Sequence, residues 1–423
     1  MLVDDCFRPG AERMAHGEAI ALLRARLAPI AAVERLPLAE AHHRILAEDL
    51  TAARAVPEHT NAAVDGYAVR HDDYVAAGGR AMPIAGRAAA GHPLAGRPSE
   101  ASAVRILTGA TLPEPCDTVV MQEDVTLMEG ADGVPAVVLP DGIKRGANVR
   151  RAGEDVAAGA LLFTAGNRLR AQDLAALASV GIAAVACYRR LRVGLVSTGD
   201  EIIRPGAAPR GAGDVFDANA PMLAGLVTAA GGEPVDLGVW PDQPAVIAER
   251  LAEAARSVDV IVTSGGASRG EEDHMAAAVA ASGQRHFWQI NVKPGRPMLM
   301  GQIGDTVVVG LPGNPVAVFV CFLMYVHPML RRLGGGPFSE PVRYSLPAAF
   351  EVKGRKVGRR EFWRASLVTA ADGGLAVEKF ARDGSGLISG LRAADGLIDI
   401  PEGHGDVAYG DRVAFMPFAE FGL

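Results

Sequence analysis

The sequence predicts an α/β protein with a doubly wound α/β domain at its centre, a small β-rich module before it and a β domain after it. Three observations carry this expectation. Beyond Leu191, apolar strand candidates alternate with helical candidates; between Pro57 and about Arg151, short β-type runs alternate with Gly/Pro turns; after Gly334-Gly335-Gly336-Pro337, short alternating strands return. Apolar strands each followed by a helix imply parallel pairing, because a parallel connection needs a crossover that also shields the sheet.

In chain order, Glu18 to Leu50 reads as helical: Ile20, Leu22, Leu23 and Leu27 recur at three- and four-residue spacing, and the pattern resumes after Pro37 from Leu38 to Leu50. The β-type runs are Val104–Leu107, Thr118–Met121 and Ala136–Leu139. Gly153 to Val185 is mixed, with a helix over Ala171 to Val180. The central strands are expected at Arg192–Val196, Val235–Val239, Val258–Thr263 and Thr306–Gly310, and the helices at Pro221–Ala230, Ala245–Arg256, Asp273–Ala281 and Val316–Leu333.

Composition excludes several functional classes. Apolar residues make up 49% of the 423, enough for sizeable cores and against wholesale disorder. Lys plus Arg total 42 against 49 Asp plus Glu, a net charge of −7, so no global positive field draws nucleic acid or anionic lipid. The longest apolar stretch, Val316 to Val326, is short of the roughly 20 residues a membrane span needs. The acidic start Met1-Leu2-Val3-Asp4-Asp5 lacks the features of a secretory signal, which makes the cytoplasm the expected compartment. Cys6, Cys116, Cys187 and Cys321 are isolated, with neither disulfide nor zinc spacing.

Ligands of open α/β sheets bind beyond the carboxyl ends of the strands. The loops expected there are Ser197-Thr198-Gly199-Asp200-Glu201, then Ser264-Gly265-Gly266 followed by Arg269 and an acidic cluster, and Leu311-Pro312-Gly313-Asn314-Pro315. Glycines that let N–H groups approach an anion, serine hydroxyls and helix N-termini together describe a phosphate cradle. It lacks G-x-x-x-x-G-K-[ST] and is not of Walker type. Glu201, Asp242 and Asp273 fall on the same rim and offer Mg²⁺ the oxygen ligands it takes, although singly Asp273 reads as a helix N-cap and Asp242 as a turn residue. Lys293-Pro294-Gly295-Arg296-Pro297 places two cations on a stiff turn, and Arg359 to Arg364 with Gly384-Ser385-Gly386 offers a second anion-binding set. From residue chemistry alone Asp65-Gly66 is a turn.

Nine motifs occur together in order: Asp65-Gly66-Tyr67-Ala68-Val69, Thr108-Gly109-Ala110, Gln122-Glu123, Gly153-Glu154-Asp155-Val156, the three strand-end loops, the Lys293–Pro297 turn and Gly384-Ser385-Gly386. In these the chain resembles the MoeA and gephyrin E-domain family of molybdenum cofactor biosynthesis. The resemblance implies a mixed α+β linking domain from residues 1–56 and 152–186, an inserted β-rich domain 57–151, a molybdopterin-binding α/β domain 187–334 and a C-terminal β domain 335–423. It also implies a homodimer and a molybdopterin molybdenumtransferase activity, in which adenylylated molybdopterin reacts with molybdate, AMP is released and Mg²⁺ assists. A molybdopterin adenylyltransferase and the acceptor molybdoenzymes are its implied transient partners.

Carried over by motif, Asp65, Thr108 and Asp155 would complete the site from the partner subunit. Glu201, Asp242 and Asp273 would serve metal or substrate, with Glu201 and Lys293 also among the catalytic groups. Ser264, Gly265, Gly266, Arg296, Pro312, Pro315, Arg359 and Ser385 would bind substrate. Two departures remove cations that many relatives carry: Gln289, and Ala220 after Asn219; their loss is expected to weaken the hold on a polyanionic ligand unless Arg269 or Arg296 substitutes. The alternatives are an adenylyltransferase-like nucleotide enzyme and a non-catalytic dimeric scaffold of the gephyrin E-domain type. The flanking modules and the absence of a long Pro/Ser linker within these residues weigh against them.

Overall fold

The computed structural model describes residues 14–130, 133–266, 274–370 and 372–423. At its centre is a six-stranded sheet in the order Glu233–Trp240, Arg192–Thr198, Val260–Ser264, Thr306–Leu311, Pro297–Ile303, Gln284–Gln289. The first four strands are mutually parallel, and the last two add an antiparallel edge hairpin. Strand Val260–Ser264 is buried throughout, and its residues alternate between two cores. Val260 and Val262 pack with Leu223, Leu226 and Val227 of helix Asn219–Ala229. Ile261 packs with Ile247 and Leu251 of helix Pro244–Ala254 and with Met275 and Val279 of helix His274–Ser282. Helices therefore cover both faces, as the apolar strands require.

The long helical stretch runs as Pro315–Cys321, a π turn over Phe322–Val326, and His327–Leu333. Pro328 has no N–H for the carbonyl one turn back, and the wide turn ahead of it accommodates that loss. The helix thus runs on past the apolar stretch Val316–Val326 to Leu333, as the sequence predicts. Among the described residues Pro315–Leu333 is the stretch long and apolar enough to cross a membrane, but 89% of it is buried inside the fold.

One expectation fails in the N-terminal region. Helix His16–Arg26 forms, but of Leu38 to Leu50 only the single 3-10 turn Leu38–Glu40 is helical. Val33–Pro37 and Ile45–Leu46 instead flank Ala184–Tyr188 in an antiparallel sheet, and Leu50–Thr51 pairs with Leu161–Phe163. Leu46, Leu169, Leu177 and Val185 bury each other there, so tertiary pairing overrides local periodicity.

The β-rich module is a six-stranded sheet in the order Thr118–Met121, Gly66–Val69, Ala103–Ile106, Met82–Ala88, Pro135–Val138, Thr126–Glu129. The C-terminal sheet runs Val292–Lys293, Arg360–Thr369, Gly396–Ile400, Arg412–Pro417, Tyr344–Pro347. Its first strand comes from the central region: Val292 and Lys293 leave the α/β sheet's hairpin and pair in parallel with Arg360 and Glu361.

Candidate functional site

The strand-end loops meet at the carboxyl edge of the parallel sheet. Ser197, Thr198, Thr263 and Ser264 are all buried there. Asp217, 2% exposed, accepts a hydrogen bond from Ser197 Oγ (2.6 Å), an ion pair from Arg204 (3.1 Å) and the N–H groups of Asn219 and Ala220 (3.1 and 3.0 Å). It thereby caps the first turn of helix Asn219–Ala229. Asn219 Nδ2 donates to Ser264 Oγ (2.7 Å) and to Gly313 O (2.8 Å), tying three loops together. Asn219 Oδ1 is buried without a partner among the described residues. Gly265 lies at φ +92° with its Cα against Thr198, where a Cβ would meet Thr198 Oγ1 at 2.7 Å. A side chain would fill the shallow bed that the backbone forms there.

On the rim, Glu201 is exposed and its carboxylate lies over the Cα of Gly199. Asp242 N–H donates to Asp200 Oδ1 (3.2 Å), which brings the loops after the first two strands side by side. Among the described residues no group of three or more histidine, cysteine or acidic side chains is gathered for a metal ion. Asp273 and Arg269 lie outside the described residues, as does the side chain of Gln289. The donors present are carboxylate oxygens, and Mg²⁺ is commonly held by one or two of these plus water and substrate phosphate, so Glu201 and Asp242 fit it.

The Lys293 turn closes the other wall. Gly295 has φ +106°, and a Cβ on it would lie 2.2 Å from Cys321 Sγ of the long helix. Lys293 Nζ, half-exposed, pairs with Glu361 Oε2 (3.3 Å), which also accepts from Trp363 Nε1 (2.9 Å). The loop carrying Ser385 is pinned on both sides. Val316 N–H, at the start of the long helix, donates to Ser385 O (3.0 Å), while buried Arg364 donates to the carbonyls of Leu387 (2.8 Å), Arg382 (2.7 Å) and Gly384 (3.3 Å).

Between these elements lies a cavity of about 260 Å³ lined by Lys293, Pro312, Val316, Trp363, Lys379 and Ser385, among others. An adjoining cavity of about 660 Å³ shares Lys293, Trp363 and Lys379 with it and adds Lys353, Arg355, Lys356 and Arg359. Six basic side chains line it against Glu361 and Asp383; Lys353 also pairs with Glu351 (3.2 Å) and Arg355, its side chain buried, holds the carbonyls of His404 and Arg359, and the surplus of positive charge suits an anion.

Of the residues expected at the site, Lys293, Pro312, Ser385 and Arg359 line these cavities. Pro315 opens the long helix beside them, and Arg296 is half-buried in the same turn. Arg360 and Arg364, part of the expected second anion set, are committed elsewhere: Arg360 grips Asp399 through two bonds of 2.7 Å, and Arg364 holds carbonyls. Glu361, Lys379, Asp217 and Asn219 are the organising residues that motif reading passed over. Their only sequence signal is adjacency to a motif.

Asp65, Thr108 and Asp155 belong to the β-rich side of the chain. Asp65 Oδ1 accepts from Thr108 N (2.7 Å) and Thr108 Oγ1 (2.6 Å), and these bonds hold its carboxyl below the usual range. Its backbone oxygen accepts from Gln122 N (3.1 Å). Asp155 is exposed beyond the Gly153 turn, with its N–H on Val56 O (3.0 Å).

Residues 14–181 match the family model of the MoeA N-terminal region (domain I and II), 194–332 that of a probable molybdopterin binding domain, and 346–418 that of the MoeA C-terminal region (domain IV). The chain is 38% identical over 386 residues to the molybdopterin molybdenumtransferase of Haemophilus influenzae, covering 91% of this chain and 94% of that one. It is 32% identical over 378 residues to the molybdopterin molybdenumtransferase of Bacillus subtilis, covering 88% and 86%. The crystal structure of the molybdopterin biosynthesis moeA protein from Pyrococcus horikoshii OT3 superposes with a TM-score of 0.80 at 29% identity, over 96% of this chain and 100% of that one.

Proposed function

The chain belongs to the MoeA family, with the activity of a molybdopterin molybdenumtransferase in molybdenum cofactor biosynthesis, and from that premise we propose that it takes adenylylated molybdopterin and molybdate in the cleft just described and releases AMP. The observation that carries this reading is the Lys293–Pro297 turn, which belongs to the central hairpin and yet pairs with the C-terminal sheet. It sets a fixed cation between the phosphate cradle and the basic cavities.

The cradle of Ser264, Gly265 and Gly266, with the N-terminus of helix Asn219–Ala229 behind it, holds the pyrophosphate of the adenylyl group. Lys293, Arg296 and Arg359 draw in the tetrahedral oxyanion, and Ser385 with Pro312 and Pro315 shapes its seat. Held rigidly, these groups bring the dithiolene and the oxyanion together without reorganising at the moment of reaction. Glu201 and Asp242, with Asp273 expected from the motif, would hold Mg²⁺, which would supply charge neutralisation at the phosphoanhydride. The protein acts as a homodimer in which Asp65, Thr108 and Asp155 reach the cleft from the second copy. The Thr108 bonds to Asp65 support this role, since they keep a carboxylate ionised and aimed on an exposed turn.

Mixing inactive subunits tests the arrangement. Asp65→Asn and Lys293→Ala should each abolish molybdate-dependent AMP release. After subunit exchange the mixture should recover about a quarter of wild-type activity, because half the dimers are mixed and each carries one intact composite site. No recovery would place both residues in a single-chain site. AMP release that ignores molybdate would reject the substrate assignment.

A further inference from the structure

At the amino ends of the parallel strands, opposite the cleft, the turn Ala230–Gly232, the Tyr188–Leu191 connection and the end of the long helix enclose a small cavity of about 30 Å³. Five arginines line it. Two are already paired: Arg44 with Glu34 and with Tyr188 O (2.9 Å), Arg189 with both oxygens of Asp259 (2.7 and 2.6 Å). The other three, Arg168, Arg190 and Arg331, have no carboxylate partner among the described residues.

Arg168 and Arg331 are half-buried, and Arg190 is exposed. Burial and the like charges of Arg331 and Arg190 act on Arg168 and lower its pKa, and burial, then Arg168, His42 and Arg190, push His43 down. Helices Asn219–Ala229 and His327–Leu333 both end at this place. Their C-termini together supply about one unit of negative charge. Three guanidinium groups therefore exceed the charge of these helix ends by about two units, and with the exposed Glu233 beside Gly232 also nearby the place keeps a net positive charge for a small oxyanion. Room for one water is roughly 10–15 Å³ on this measure, so the cavity takes an ion of a few atoms and no nucleotide or pterin.

We propose that Arg168, Arg190 and Arg331 form a binding site for a small tetrahedral oxyanion, seated where the N-terminal antiparallel sheet, the parallel sheet and the end of the long helix meet. The ion would join three segments that otherwise repel one another. Phosphate, sulfate and molybdate share the required shape and charge.

The test titrates each of the three anions into the full-length chain at constant ionic strength, by calorimetry and by thermal melting. A Lys293→Ala, Arg296→Ala, Arg359→Ala background removes the three cations assigned to the oxyanion in the cleft. Saturable binding of one ion per chain is expected to persist in that background and to raise the melting temperature. Arg168→Gln and Arg190→Gln should each weaken it about tenfold or more. Arg190 is exposed, so its variant keeps the test valid if Arg168→Gln fails to fold. The strongest of the three anions identifies the natural class of ligand. Binding of none of them, or undiminished binding in the folded variants, overturns the proposal.

Discussion

Replacing Gly295 by alanine probes the turn on which the cleft depends. The backbone at φ +106° lies outside the regions that L-residues favour, and forcing a side chain there costs about 1–2 kcal/mol. The new Cβ would stand 2.2 Å from Cys321 Sγ. An overlap of that kind in a packed core adds about 1–3 kcal/mol. The sum is about 2–5 kcal/mol, to be read from urea unfolding followed by tryptophan fluorescence. Displacing the turn also moves Lys293, and a shift near 1 Å should slow AMP release about 100-fold. The double variant with Cys321→Ala removes the sulfur and leaves Ala317 O at 3.7 Å as the nearest atom, an ordinary contact. The double-mutant cycle should therefore return the overlap share and leave the backbone share. A Gly295→Ala chain within about 0.5 kcal/mol of wild type, or a cycle with no coupling, would refute the argument.

Three further outcomes follow from the same geometry. Asn219→Ala strips a donor from Ser264 Oγ and Gly313 O and should cost about 1–3 kcal/mol together with weaker substrate binding, measured by unfolding and by KM. Arg364→Lys cannot span the three carbonyls that fix the Ser385 loop, so KM for molybdate should rise about tenfold with the fold retained by circular dichroism. His327, buried, has its pKa lowered from 6.5 to about 4, chiefly by loss of water and then by Arg331 and Arg168. Between those values the unfolded chain binds the extra proton, so stability is full above about pH 6.5 and falls towards pH 4, by about 1.4 kcal/mol per unit. His327→Phe keeps the edge packing on Phe421 and should flatten that slope, leaving the similar contribution of His16.

Arg192–Thr198, Val260–Ser264 and Thr306–Leu311 were legible because each is an apolar run buried on both faces, a pattern the chain can write locally. Val260 to Ser264 needs no distant partner to declare itself. Val33–Pro37 does, since its neighbour Ala184–Tyr188 is far along the chain, and the leucines at 38, 46 and 50 therefore mimic a helical period. At the site, hydroxyl and glycine loops at strand ends announced the cradle, and Lys293 announced itself by its stiff turn. The fate of the arginines after Arg359 was illegible. Whether a guanidinium meets solvent, a carboxylate or a carbonyl depends on Asp399, Leu387 and Arg382, which only the folded sheet brings near. Glu361 became visible for the same reason, as the shared acceptor of Lys293 and Trp363.

Val292 and Lys293 are a short strand of one sheet inserted between two long strands of another. The consequence is mechanical. Phe362, Leu397 and Met416 of the C-terminal sheet also pack into the core of the central domain, so this crossbar is one of several ties by which the two sheets together hold the ammonium group in place. The place of that charge is therefore set by the C-terminal sheet as much as by the hairpin it grows from, since Glu361 both pairs with the Lys293 backbone and anchors its tip.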